Sequence, residues 1–130
     1  MYERLLFLIK KTKDMKDFMM LFHSEPNPDF NPTPKQLEEE VKAWQDWMGG
    51  IGAQGKLKNP GEALGFEGKT MHTDGTITDG PYAELKEIVG GFIIVSTDSI
   101  EEAIELGNGC PVLNSGGKVE VRDIMIFDGM

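Results

Sequence analysis

Asp79-Gly80-Pro81 closes a short Ile77-Thr78 run and is followed by Tyr82, Glu84, Lys86 and Glu87. Adjacent Gly and Pro impose a sharp turn, so the Asp79 carboxylate is expected to be held, beside a phenol, a second carboxylate and an ammonium group. A held carboxylate in that company suits general acid or base work. The competing role is structural, with Asp79 accepting backbone N–H groups in an Asx-turn and the Glu84–Glu87 charges forming a solvated turn. His23, at the exit of an apolar run, is a second candidate for proton transfer near neutral pH. Trp44 and Trp47 lie three apart. Either they pack in the core, or one of them, with Trp47 the leading candidate, walls a cleft for a planar or carboxylate-bearing ligand.

Other chemistries find less support in the residue pattern. His23, His72 and Cys110 lack the spacing of metal ligands, and no metal is expected. Gly50-Ile51-Gly52-Ala53-Gln54-Gly55 matches G-x-G-x-x-G in form, but it closes a helix where a dinucleotide fingerprint must open one. No cofactor is therefore expected. With 13 Lys and Arg against 22 Asp and Glu, the net charge of -9 repels phosphate backbones and anionic lipids. Direct nucleic-acid binding and membrane association are not expected. The run Leu5-Leu6-Phe7-Leu8-Ile9 falls well short of the roughly 18 to 20 apolar residues of a membrane span. It is followed by lysines without a cleavage pattern, so no targeting segment is read. One cysteine, Cys110, excludes an intramolecular disulfide and fits the reducing cytoplasm.

The elements that must hold these groups can be read in order. Phe18 to Phe22 is apolar without alternation, as in a strand buried on both faces. Three prolines between His23 and Pro32 mark a loop. Thr33, Pro34 and Gln36 spell a capping box with Pro at the first helical position, opening a helix with an apolar stripe of Leu37, Val41, Trp44, Met48 and Ile51 that ends at Gly55. Lys56 to Gly68 reads as an irregular stretch punctuated by Gly and Pro, anchored by Leu57, Leu64 and Phe66. Asp74-Gly75 centres a hairpin, and Gly91 to Ser96 is a second strand without polar alternation. Ser99 and Glu102 form a second capping box before a helix of Ile100, Ala103, Ile104 and Gly107. Lys118 to Asp123 alternates, with Val119 and Val121 on one face and Glu120 and Arg122 on the other. The apolar tail Ile124 to Phe127 is expected to pack. This order predicts an α+β, ferredoxin-like antiparallel sheet with two helices on one face. A sheet apolar on both faces but covered on only one implies a homodimer with two sheets face to face.

Asp79-Gly80-Pro81-Tyr82-Ala83-Glu84, then Lys86-Glu87, Gly90-Gly91-Phe92, Cys110-Pro111 and Val119-Glu120-Val121-Arg122 resemble the DGPF-type branch of the YCII-related proteins. The similarity runs from about Met15 to Ile124, making residues 15–130 the domain and residues 1–14 an N-terminal extension. The resemblance implies a dimeric α+β barrel whose wider superfamily binds small organic acids and lactones in a cleft. The positions that carry over are Asp79, Gly80, Pro81, Tyr82 and Glu84, with Lys86 and Arg122 as weaker matches. Family relatives carry a His on the first helix and an Asp-Pro after the second, where this chain has Trp44 and Cys110-Pro111, so that His–Asp pair is not carried over. The expected protein is a cytoplasmic homodimer with a small-molecule cleft lined by Asp79, Tyr82, Trp47 and His23, doing acid/base chemistry on an organic acid or lactone. The alternative is a non-catalytic binding or regulatory module, associated with transcription, in which the Asp-Gly-Pro turn is structural.

Overall fold

A computed structural model of the chain describes residues 15–25, 27, 29–80 and 87–127. Among these residues six strands and two helices occur in the order β1 (Lys16–Ser24), α1 (Pro34–Ala53), β2 (Leu57–Ala63), β3 (Lys69–Met71), β4 (Ile77–Asp79), β5 (Ile88–Thr97), α2 (Ile100–Gly107) and β6 (Lys118–Asp123), with a 3-10 helix over Pro111–Ser115. β2, β5, β1 and β6 form one sheet in that spatial order, and every pairing is antiparallel. This is the ferredoxin-like arrangement, with the first and second-last main strands in the centre. β3 and β4 pair separately as the hairpin around Asp74-Gly75, where Gly75 takes a φ of 90°.

β1 and β5 alternate strictly. Phe18, Met20 and Phe22 on β1 and Ile93, Val95 and Thr97 on β5 are buried, while Met19, Leu21, Phe92 and Ile94 on the opposite face are half-buried. The buried set meets Ile51 of α1, Ala103 of α2, Cys110 and Val112 to form the core. Thr97 is the one buried polar side chain among the described residues, and its Oγ1 donates to Ser99 O at 2.7 Å. A bulge where β1 and β5 shift register between Phe22 and His23 leaves Gly90 as the extra residue, so that Val89 sits opposite His23.

Both caps of the first box form. Thr33 Oγ1 accepts Gln36 N–H at 3.1 Å, and Gln36 Oε1 accepts Thr33 N–H at 2.9 Å. Only the second half of the α1 stripe packs, however. Trp44, Met48 and Ile51 meet the sheet, whereas Leu37 and Val41 are exposed. A 20-residue helix is about 30 Å long, and its first turns run past the strands they were expected to cover. The second box closes differently. Ser99 Oγ accepts Glu102 N–H at 3.2 Å, but the Glu102 carboxylate accepts Asp98 N–H at 3.1 Å and pairs with Lys56 Nζ at 2.5 Å.

Two further differences have physical causes. The stretch read as irregular contains β2, which runs through Pro60 and Gly61 because it is an edge strand that need not donate from every residue. The tail extends β6 only as far as the bond from Ile124 N–H to Asp17 O at 3.2 Å. Met125, Ile126 and Phe127 are exposed, contrary to the packing expected of them.

Candidate functional site

The sites foreseen in the sequence fall in three separate places. Asp79 ends β4 on the hairpin. Its side chain is 89% exposed and pairs with Lys69, while Gly80 N–H donates to Gly68 O at 2.6 Å. Among the described residues the carboxylate pairs with the cross-strand lysine; the N–H groups that an Asx-turn here would use after Gly80 lie outside them. Tyr82, Glu84 and Lys86 lie outside the described residues.

His23 lies on the outward face of β1. Register pairs it with Lys118, and its Nε2–H donates to Glu120 Oε1 at 2.8 Å. Its side chain is 17% exposed against 44% for Glu120. Arg122, further along the same face of β6, brings Nε to 4.0 Å from Glu120 Oε2, and Lys118 pairs with Glu87 at 2.5 Å. The hydrogen bond and then the charge of Glu87 hold Lys118 above the ordinary lysine range. His23 and Arg122 are therefore brought together through Glu120, a partner the sequence reading did not single out. The alternation of β6 places Glu120 outward, and only the β1–β6 register shows that it meets His23.

Trp47 is a packing residue. Its Nε1–H donates to Leu106 O at 2.9 Å, tying α1 to α2, and its ring meets Trp44 and Phe22 edge-on at 5.7 and 5.8 Å. Trp44 is the tryptophan that faces open space. It stands edge-on to Phe22 at 4.9 Å and lines a cavity of about 430 Å³ between α1 and the β1, β2 and β5 strands. Met48, Ile93, Val112, Pro60 and Ala63 complete an apolar wall, and Ser24 sits at its edge. Glu62 pairs in register with outward-facing Phe92, so both reach the cavity through their main chains. No Lys or Arg is among the described lining residues.

Glycines shape the cavity floor. Gly61 has a φ of 68°, and a Cβ there would lie 1.6 Å from Phe92 O. A Cβ at Gly91 would lie 2.8 Å from Glu62 O. The backbones of β2 and β5 approach this closely only because neither position carries a side chain. A second, open groove of about 510 Å³ lies at the start of α1. Several of its polar groups are engaged locally: Gln36 in the capping box, Asn27 Oδ1 on Asp29 N–H at 3.0 Å, and Glu40 Oε1 on Trp44 Nε1–H at 3.1 Å. The cavity beneath Trp44 is the more apolar of the two.

No group of three or more His, Cys, Asp or Glu among the described residues is placed to hold a metal ion. No described helix is long and apolar enough to cross a membrane. The YCII-related domain model matches residues 17–128, nearly the whole described sheet and both helices. The chain belongs to the YCII-related family. No curated protein matches this YCII-related chain. Among solved structures it is similar to one titled "Crystal structure of methylated RPA0582 protein", at 13% identity and a TM-score of 0.36, over 96% of this chain and 93% of that one.

Proposed function

We propose that this YCII-related chain binds a small, neutral, largely apolar ring compound in the cavity beneath α1. The observation that carries the reading is the wall of Trp44, Phe22, Met48, Ile93 and Val112 around about 430 Å³. A concave, largely apolar space of that size beside a few polar groups is the usual form of a small-molecule site. Of the two ligand classes the resemblance suggests, the lactone fits better than the organic acid, because a carboxylate would be desolvated there without a described cation to pair with. His23 and Glu120, the groups best placed to exchange a proton, lie on the other face of β1, which favours binding over acid/base chemistry on the cavity's contents.

The outward face supports the homodimer. Met19, Leu21, Phe92 and Ile94 form an apolar strip with neither described helix over it, bordered by His23, Glu120 and Arg122, and a second sheet packed face to face would cover it.

A screen of neutral lactones and aromatic ring compounds tests the ligand reading. At 100 times its dissociation constant a true ligand adds about 2.7 kcal/mol to stability and raises the melting temperature accordingly. Binding should also alter tryptophan fluorescence in wild type and in Trp47→Phe, but not in Trp44→Phe. A panel that shifts neither melting nor fluorescence refutes the proposal.

A further inference from the structure

Ser24 gives the cavity a chemical preference, on the reading that the cavity is a ligand site. It is the last residue of β1 and falls on the inward face with Phe18, Met20 and Phe22. Its hydroxyl has no hydrogen-bond partner among the described residues. Hydroxyls at the far end of β5 are engaged: Thr97 Oγ1 donates to Ser99 O at 2.7 Å, and Ser99 Oγ accepts Glu102 N–H at 3.2 Å. Space is kept in front of Ser24 by the bulge residue. A Cβ on Gly90 would sit 4.0 Å from Ser24 Oγ and 4.0 Å from Phe22 O, so a side chain at position 90 would begin to fill the approach.

We propose that Ser24 Oγ is the polar anchor of the cavity and that it selects a neutral ring compound bearing a carbonyl oxygen, such as a lactone or cyclic ketone, over a carboxylate. The hydroxyl donates its O–H to the ligand carbonyl, while the ring lies against Trp44 and Phe22. A neutral carbonyl needs one donor to offset its desolvation. A carboxylate needs several donors or a cation, and no Lys or Arg is among the described lining residues.

Three ring compounds of similar size separate the arms of the test: phthalide, a benzene-fused lactone; indane, its hydrocarbon counterpart; and 2-methylbenzoate, a carboxylate. Calorimetric titration of wild type should show phthalide binding at least about tenfold more tightly than 2-methylbenzoate. Ser24→Ala should weaken phthalide about fivefold, the worth of one hydrogen bond, and leave indane unchanged. Ser24→Thr, which keeps a hydroxyl, should retain most of the phthalide affinity. Gly90→Val, checked for an unchanged melting temperature, should weaken phthalide and indane alike by filling the approach. If phthalide and indane both bind and Gly90→Val blocks both, but Ser24→Ala leaves phthalide untouched or weakens indane equally, the anchor is refuted while the cavity reading stands. Binding of 2-methylbenzoate as tight as that of phthalide refutes the stated selectivity. Failure of all three to bind wild type overturns the cavity reading and the anchor with it.

Discussion

Gly55 and Gly61 have nearly the same backbone, with φ of 71° and 68°, but very different surroundings. A Cβ at Gly55 would meet nothing within 4 Å, whereas one at Gly61 would lie 1.6 Å from Phe92 O and 2.5 Å from Phe92 C. An alanine in the left-handed region costs about 1 to 2 kcal/mol in backbone strain. Part of this is offset by about 0.4 to 1 kcal/mol from the stiffer unfolded chain. Gly55→Ala should therefore lose about 1 kcal/mol. Gly61→Ala carries the same strain and must also push β2 away from β5, giving up ladder hydrogen bonds worth about 1 kcal/mol each. The expected total is about 3 kcal/mol or more. Urea unfolding at fixed protein concentration reads the difference. With a slope of about 2 kcal/mol per molar, the two variants should have midpoints about 1 M apart. If Gly61→Ala falls within about 1 kcal/mol of Gly55→Ala, the close approach of β2 to β5 is not what holds that sheet edge together.

Burial pushes the Cys110 thiol up to about 11 from an ordinary value of 9.0. Because the folded value is the higher one, the stability tied to this thiol is complete below pH 9 and is lost as pH rises toward about 11. Alkylation at pH 8 should follow only global unfolding, and rapid labelling of the native protein would refute the burial. Asp79→Ala removes the pair with Lys69, whose side chains are 89% and 69% exposed, so it should cost under about 1 kcal/mol. A melting temperature lowered by more than several degrees would show that the Asp-Gly-Pro turn depends on this carboxylate after all.

The legible parts of the chain were those whose signals are local. Thr33, Pro34 and Gln36 announce the start of α1 because the cap is made within one turn, and Gly55 marks its end by its left-handed φ. Asp74-Gly75 likewise encodes its own hairpin. β2 was obscured because Pro60 and Gly61 argue against a strand unless the strand is known to lie at an edge, and that is a property of the whole sheet. Leu37 and Val41 mark the apolar face correctly, but periodicity carries no information on where the sheet beneath it stops. Only part of the candidate site could be read. Trp44 and Trp47 are equivalent in pattern, and only tertiary contact sends one to Leu106 and the other to the cavity. The pairing of His23 with Glu120 spans 97 positions and depends on strand register. The glycines at 61, 90 and 91 were the available signal for the cavity, since a glycine inside a strand pattern often marks close backbone approach.

The position of β1 at the centre of the sheet has a consequence for how the protein is made. Its neighbours are β5 and β6, which emerge from the ribosome after α1 and β2. Until β5 and β6 emerge, Phe18, Met20 and Phe22 await partners, and α1 emerges before the sheet it rests on has formed. Contacts so distant along the chain make folding slow relative to helical proteins of the same size. The nascent chain therefore exposes the apolar side chains of β1 until β5 and β6 have emerged, and it is most open to aggregation or chaperone capture during that interval. Assembly of the sheet can finish only once Asp123 has been released.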